Sequence, residues 1–156
     1  MQMSDHDSHD PYSAPLGRVL ALDVGTKRIG LALSDETRLL SQPLKTLRRQ
    51  SPPEDVRAIS DVVKEWDVRE IVLGLPLHMN GDLGEMGKKV LAFRDLLQTK
   101  INIPIETWDE RLTTAEAERL MIEGGARRDK RKEVIDQIAA SLILKGYLAF
   151  REKNPR

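Results

Sequence analysis

RVLALDVGTKRIGLALSD, residues Arg18 to Asp35, is the stretch from which the fold of this chain is best predicted. Its first part, Val19 to Leu22, is a short continuous apolar run, as in a strand buried on both faces. Gly25 predicts a turn, and Ile29 to Ser34 then predicts an antiparallel partner strand. Asp23 follows the first run, where another apolar residue would be expected. The stretch therefore predicts a central β-hairpin with a carboxylate at its inner rim.

Asp23 has two interpretations at this point. Aspartate often caps a turn by accepting hydrogen bonds from nearby backbone N–H groups, and that role implies no chemistry. A carboxylate at the end of a buried strand is also a candidate functional group if other acids converge on it. The rest of the chain has to decide between the two.

Length and composition narrow the possible classes of protein. With 156 residues the chain fits one domain. It has no cysteine, which excludes disulfides, thiolate zinc sites and cysteine nucleophiles. It also has no run of 18 apolar residues, and its N-terminus carries acids where a signal peptide carries basic residues. We therefore expect a cytoplasmic protein with no membrane partner.

The charge of the chain is balanced but unevenly distributed. Residues 1–17, MQMSDHDSHDPYSAPLG, are polar and aperiodic, and predict a disordered tail ahead of one domain at 18–151. Without the three acids of this tail, 25 basic residues face 22 acidic ones. The basic residues cluster at Arg127, Arg128, Lys130, Arg131 and Lys132. Such a cluster is either a solvated loop or a surface that binds nucleic acid.

The elements after the hairpin alternate between strands and helices. Leu39 to Leu47 predicts a third antiparallel strand, with Pro43 tolerated at an edge or a bulge. Ser51 to Glu54 has the pattern of a capping box, so a helix should begin there. Glu70 to Leu75 is an apolar run after that helix, and predicts a buried strand parallel to the first. The turn-rich segment 76–84 follows at its carboxyl end, where ligands collect in α/β sheets.

The second half of the chain predicts a similar alternation. A helix containing Met86 and Leu97 precedes Pro104 to Trp108, which predicts a third inner strand. A short helix is expected from Thr113 to about Glu123, and a final helix from Lys132 to about Arg151. The fold class is therefore α/β, with a five-stranded mixed sheet of three antiparallel and then two parallel strands, flanked by helices.

Three acids occupy positions where the local pattern predicts apolar residues. Asp23 and Glu110 follow predicted strands, and Asp136 falls on the apolar side of the last helix. An acid in that place must be paired, protonated or bound to a cation. Clustered carboxylates suit Mg²⁺ or Mn²⁺, two of which could activate water and stabilise the leaving oxygen in phosphodiester hydrolysis. Asp109 is the rival of Glu110, because adjacent strand residues point to opposite faces.

Four motifs resemble those of the YqgF family, also called RuvX-like, within the ribonuclease H-like superfamily. They are LALDVGTKRIGLALSD, IVLGLP with the following LHMNGD, WDERLTT, and VIDQIAASLILKGYL, which occur in the family's order across about residues 18–150. The resemblance implies a ribonuclease H-like fold. It also implies the activities described for that family, which are maturation of the 5′ end of pre-16S ribosomal RNA and Holliday junction resolvase-like cleavage of branched DNA.

The same resemblance implies roles for individual residues. Asp23 would bridge two metal ions, and Glu110 and Asp136 would each hold one, with Asp109 as the alternative ligand. Lys27 in the hairpin turn is a candidate phosphate contact. The other predicted nucleic-acid-binding residues are Arg111, Arg127, Arg128 and Arg131.

Other functions stay open at the level of sequence. The motif LDVGT also occurs in actin-like ATP-binding folds, but those need two such domains, and the chain contains no GxGxxG. A non-catalytic nucleic-acid-binding or ribosome-assembly protein could keep the acids without cleaving. A junction resolvase should be a symmetric homodimer, because it cuts two strands related by a two-fold axis, whereas an RNA-processing nuclease could act as a monomer.

Overall fold

The computed structural model describes residues 16–110 and 128–155, without the side chains of 128–131. The strands are β1 (Arg18–Val24), β2 (Arg28–Ser34), β3 (Ser41–Arg48), β4 (Val68–Leu75) and β5 (Ile105–Asp109). The helices are α1 (Pro52–Trp66), α2 (Glu85–Lys100) and α3 (Arg128–Lys153). The predicted tail up to residue 15 and the predicted helix at 113–123 lie outside the described residues. Within the described part, no helix is long and apolar enough to span a membrane.

The five strands form one mixed sheet in the order β3-β2-β1-β4-β5. β1 is central, antiparallel to β2 and parallel to β4, as predicted. The prediction that the last strand is an inner one is wrong, because β5 lies at an edge beside β4. The physical reason is that β1 already occupies the other side of β4, so the crossover through α2 can add a strand only on the outside.

The sheet has a different apolar layer on each face because successive strand residues point to opposite sides. Leu20 and Leu22 of β1 face α1 and α2, in a core that also contains Ile59 and Leu97. Residues at the alternate positions face α3, and they are small or β-branched. That second layer consists of Val19, Ala21, Ala32, Val72, Ala140, Ile143, Leu144, Tyr147 and Leu148. The small side chains allow α3 to lie close to the sheet.

Local signals in the sequence explain how the elements begin. Ser51 Oγ accepts a hydrogen bond from Glu54 N at 3.3 Å and donates to Glu54 Oε1 at 2.9 Å, which confirms the capping interaction at the start of α1. Pro43 lies in edge strand β3, beside an irregularity in the pairing with β2, as predicted.

Edge strand β3 also holds α3 in place. Ser41 Oγ donates to the backbone oxygen of Ser141 at 2.8 Å, and Thr46 Oγ1 donates to that of Glu133 at 2.8 Å. Two hydroxyl groups on one strand thereby set the position of the helix relative to the sheet. The segment of α3 between these contacts includes Asp136.

Candidate active site

Asp23 points toward α3. It has the same strand parity as Val19 and Ala21, which belong to the layer against that helix. It pairs with Gly30 of β2, and on its other side Gly74 of β4 follows the residue that pairs with Leu22. The carboxylate of Asp23 therefore emerges between two strands that present glycine.

Gly30 brings Asp136 to the sheet. A methyl group on Gly30 would lie 2.1 Å from the backbone oxygen of Asp136 and 2.8 Å from its Cβ. Those distances are far below van der Waals contact, so a side chain of any size at position 30 would push α3 away. Because position 30 is glycine, the helix meets the strand backbone to backbone, and Asp136 lies close to Asp23.

Gly74 makes room for Glu110 in a similar way. A methyl group there would lie 2.0 Å from Oε2 of Glu110 and 2.4 Å from Cδ1 of Ile143. Glu110 N donates to the backbone oxygen of Leu75 at 3.3 Å, which extends the pairing of β5 with β4 by one residue. Oε2 of Glu110 is buried, whereas Asp109 is exposed. The residue that turns inward over Gly74 is therefore Glu110.

The electrostatics show that the first two acids are close to other carboxylates. Burial, together with the charge of Asp136, raises the pKa of Asp23 to about 7. Burial raises the pKa of Glu110 to about 8, with further contributions from the charges of Asp23 and Asp109. Both groups therefore hold a proton more tightly than an exposed acid does, as expected for carboxylates that share a partly dry site.

Asp136 has a cationic partner. Arg28 Nε donates to Asp136 Oδ2 at 2.8 Å, and the two side chains are 23% and 21% exposed. Burial raises the pKa of Asp136, while the hydrogen bond and charge of Arg28 act in the opposite direction. The sequence required Asp136 to be paired, protonated or bound to a cation, and the structure shows that it is paired with Arg28. Sequence reasoning missed Arg28, although strand parity places it on the face of Gly30 and Ala32, toward α3.

The donor set fits a hard divalent cation in its chemistry. Three carboxylates project from β1, the end of β5 and α3, and Mg²⁺ and Mn²⁺ prefer such oxygen ligands. Within residues 16–110 and 128–155, however, no three acidic or histidine side chains already converge on one metal position. Asp136 instead binds Arg28. The three carboxylates thus have the right chemistry to hold a metal, although Asp136 pairs with Arg28 in this structure.

A fourth acid on the same face illustrates a purely structural arrangement. Glu70 is 3% exposed at the opposite end of β4, where it accepts hydrogen bonds from Tyr147 Oη and from Arg38 Nη1, the latter at 2.9 Å. Arg151 Nε in turn donates to Tyr147 Oη at 3.1 Å. This acid is balanced by cations and a hydroxyl group, in contrast to the cluster at the other end of the sheet.

The predicted basic contacts are described only in part. Lys27 is exposed in the turn between β1 and β2, next to Arg28, and its backbone oxygen accepts a hydrogen bond from Arg49 N at 2.9 Å. Arg111 and Arg127 lie outside the described residues. Arg128 and Arg131 belong to the first turns of α3, but their side chains also fall outside the description. Of the predicted phosphate contacts, Lys27 is thus the one whose side chain the structure describes, next to Arg28 in sequence.

Over most of its length, this chain is similar to the proteins of one family. The model of the family described as "RuvX: Holliday junction resolvase" matches residues 17–150. A relative from Caldanaerobacter subterraneus is 51% identical over 84% of this chain and 95% of its own length, and bears the name "Putative pre-16S rRNA nuclease". A relative from Clostridioides difficile with the same name is 47% identical, over 86% of this chain and 96% of its own.

Solved structures with a similar fold are much more distant in sequence. Thermus thermophilus RuvC in complex with a Holliday junction substrate superposes with a TM-score of 0.57 at 13% identity, over 88% of this chain and 96% of RuvC. The yeast mitochondrial Holliday junction resolvase Ydc2 gives a TM-score of 0.52 at 13% identity, over 100% and 90%. These similarities establish the ribonuclease H-like fold that the strand order indicates.

Proposed function

We propose, for a chain that belongs to the RuvX family of Holliday junction resolvase-like proteins, a metal-dependent nuclease activity that hydrolyses phosphodiester bonds in nucleic acid. The substrate that we favour is the 5′ end of pre-16S rRNA, since relatives at 43–51% identity are named for that reaction. Branched DNA is the second candidate, because the family description names the Holliday junction. A protein that binds nucleic acid or assists ribosome assembly without cleaving is the third.

One observation supports the site more than any other. Three carboxylates lie together at one end of the sheet, on the face that packs against α3. The charge of Asp136 raises the pKa of Asp23, and the charge of Asp23 raises the pKa of Glu110. Holding like charges together costs free energy unless cations or protons compensate. Gly30 and Gly74 leave free the space that Asp136 and Glu110 occupy, so the fold itself provides room for this arrangement.

Each residue then has a chemical task. Asp23, in the middle, and Glu110 and Asp136, on either side of it, would together hold the cations. When bound, Mg²⁺ or Mn²⁺ would supply Lewis-acid activation of water and stabilisation of the leaving oxygen. Lys27 extends from the adjacent turn as a phosphate contact, and the basic segment Arg127 to Lys132 precedes Asp136 in sequence, so it can bind the nucleic-acid backbone beside the acids.

A cleavage assay distinguishes the three candidates. The purified protein is incubated with Mg²⁺ or Mn²⁺ and a pre-16S rRNA 5′ segment, a four-way DNA junction, or single strands of RNA or DNA. Faster cleavage of the rRNA segment supports the favoured substrate, and faster cleavage of the junction supports the second. Binding without cleavage of any substrate, under every metal condition, would leave the non-catalytic function.

Amide variants test the acids themselves. Asp23→Asn, Glu110→Gln and Asp136→Asn each keep the shape of the side chain and remove a charged ligand. Each should lower metal-dependent cleavage by a factor of about 100 or more, because metal ligation contributes several kcal/mol to the transition state. Asp109→Asn is the matched control, since that acid is adjacent but exposed, and it should stay within about threefold of the unmodified protein. Wild-type cleavage by all three amide variants would exclude the site.

A further inference from the structure

We propose that Arg28 is an exchangeable counter-ion of the acid cluster, which holds Asp136 in the absence of a divalent cation and releases it when the cation binds. The inference rests on the proposed metal-dependent function. It assigns to Arg28 a role at a site whose three acids, in this structure, have not converged on one metal position within the described residues. Asp136 is the acid that already has a cationic partner, Arg28.

The backbone around this pair leaves a simple movement available. Gly30 holds the backbone of Asp136 against β2, and the hydroxyl groups of β3 hold α3 on both sides of that point. The helix therefore has little freedom to shift. Rotation of the Asp136 and Arg28 side chains, both about one-fifth exposed, is enough to break their contact.

The hydrogen bonding of Arg28 also differs from that of Arg38 and Arg49, the two arginines that pair with buried acids. Arg38 binds Glu70 and also donates to the backbone oxygen of Gly17 at 2.7 Å. Arg49 binds Asp55 and also donates to the backbone oxygen of Gly25 at 2.9 Å. Among the described residues, the guanidinium of Arg28 hydrogen-bonds to Asp136 alone. Within the part of the chain that the structure describes, release of Arg28 breaks this one hydrogen bond, whereas release of Arg38 or Arg49 would also break a hydrogen bond to the backbone.

The positive charge of Arg28 explains why a divalent cation would displace it from Asp136. A guanidinium stays protonated at any pH at which proteins are folded, so it cannot become neutral when a divalent cation arrives. A cation that binds Asp136 competes for the carboxylate that Arg28 holds and repels the guanidinium at short range. Exchange removes both conflicts at once.

NMR spectroscopy follows this exchange directly. The ¹H–¹⁵N signal of Arg28 Nε is assigned by its disappearance in Arg28→Lys and is monitored while Mg²⁺ is added to the full-length protein. Backbone amide signals of Asp23 and Gly74 report arrival of the cation independently. We expect the Arg28 Nε signal to move together with these amides, toward its position in metal-free Asp136→Asn, where the ionic partner is absent.

Calorimetric titration with Mn²⁺ gives a second readout. Arg28→Gln should bind Mn²⁺ more tightly, on the order of tenfold, because the competing cation has been removed. Arg48→Gln is the matched control: Arg48 pairs with Arg28 in the strand register, but it is 79% exposed and lies 3.8 Å from Glu133. A general charge effect would give both variants the same gain, and that result would overturn the proposal.

Three other outcomes would also overturn it, and they show whether the proposed nuclease function fails as well. If Mg²⁺ moves the Asp23 and Gly74 amides while Arg28 Nε stays unchanged, or if Arg28→Gln weakens Mn²⁺ binding, Arg28 stays on Asp136 as a positioning residue and the proposed nuclease function stands. If neither the amides nor Arg28 respond to Mg²⁺ or Mn²⁺, the metal site and the exchange fail together.

Discussion

The acids of the candidate site lower the stability of the fold in which they lie. For Asp23 the pKa rises from 3.8 to about 7, and for Glu110 from 4.5 to about 8. A group whose pKa is higher in the folded state binds its proton more tightly there than in the unfolded chain. Its protonated form therefore favours folding, and its ionisation disfavours it. Such a cost is what we expect of residues that are kept for the proposed function.

The pH dependence of unfolding should show this effect. In EDTA, the contribution of these two groups to the free energy of unfolding should fall as pH rises from about 4 to about 8, since the unfolded state has by then released protons that the folded state retains. Urea denaturation across that range, followed by circular dichroism, measures the slope. Asp23→Asn should flatten it and should stabilise the metal-free protein at pH 8.

Asp136→Asn is the informative comparison in that experiment. Because the carboxylate of Asp136 binds Arg28, the amide loses an ion pair at the same time as it relieves repulsion toward Asp23. We therefore expect a smaller gain in stability at pH 8 than for Asp23→Asn, or a loss. An equal gain for both variants would mean that the Arg28 pair contributes nothing in solution.

At the level of elements, the site depends on two glycines on the same face of the sheet, in the two strands that flank β1. Gly30 lets α3 contact β2 through the backbone, and Gly74 opens space over β4 for a side chain that follows β5. β3 reinforces the first contact through its hydroxyl groups. The positions of the acids are thus set by how closely secondary-structure elements approach each other.

Alanine substitutions at these glycines should have graded effects. Gly30→Ala places a methyl group against backbone atoms that cannot rotate away, so the free energy of unfolding should fall by about 3 kcal/mol or more. Gly74→Ala meets side-chain atoms of Glu110 and Ile143, which can move, so the loss should be about 1–3 kcal/mol, accompanied by a marked loss of cleavage.

The control is Gly84→Ala, whose new methyl group has ring atoms of exposed His78 as its nearest neighbours, and that side chain can rotate away. Because Gly84 is the N-cap residue of α2, where alanine is less favourable than glycine, denaturant unfolding should place this variant within about 1 kcal/mol of the unmodified protein. If Gly30→Ala were equally mild, the close approach of α3 to β2 would be absent in solution.

At the scale of the whole molecule, the segment that precedes the sheet is the N-terminal tail. We propose that residues 18–151 form the folded domain, with Gly17 at its border, and that the acidic tail of residues 1–15 adds no packing. Removal of residues 1–15 should then change the melting temperature by less than about 2 °C, because a contribution of 1 kcal/mol would shift it by about 2–4 °C. Differential scanning calorimetry measures the change.

A slightly longer truncation provides the contrast. Gly17 N donates to the backbone oxygen of Glu36 at 3.0 Å, and Gly17 oxygen accepts from Arg38 Nε at 2.7 Å. Removal through residue 17 should therefore lower the melting temperature by several degrees. A similar loss after removal of residues 1–15 alone would show that the tail packs on the domain.

Nucleic-acid binding should depend on the basic segment of a nearly neutral molecule. Joint replacement of Arg127, Arg128 and Arg131 by glutamine should weaken binding and reduce the slope of log K against log salt by about one for each phosphate that is no longer neutralised. Fluorescence anisotropy at several salt concentrations gives the slope. The control is the same triple replacement at Arg57, Arg69 and Arg94, arginines of α1, β4 and α2, and it should leave the slope unchanged.

The hairpin, the parallel strand β4 and the three acids of the site could be predicted from the sequence, because each is marked by a pattern of residues close together in the chain. Apolar runs, turn glycines and the Ser51 capping box all act within a few residues, so the hairpin, the parallel β4 and α1 could be predicted from them. The acids stood out because they interrupted apolar patterns. Strand parity left Glu110 and Asp109 as alternatives and the family resemblance favoured Glu110, and the inward turn of Glu110 in the structure agrees with that preference.

Tertiary structure alone decided the contacts between distant segments. The edge position of β5 depends on which side of β4 is already paired, and the role of Gly30 depends on a helix more than 100 residues away in the chain. The Arg28–Asp136 pair joins residues 108 positions apart. Such contacts leave no local pattern, because their energy comes from proximity that exists only after the sheet and α3 have packed together.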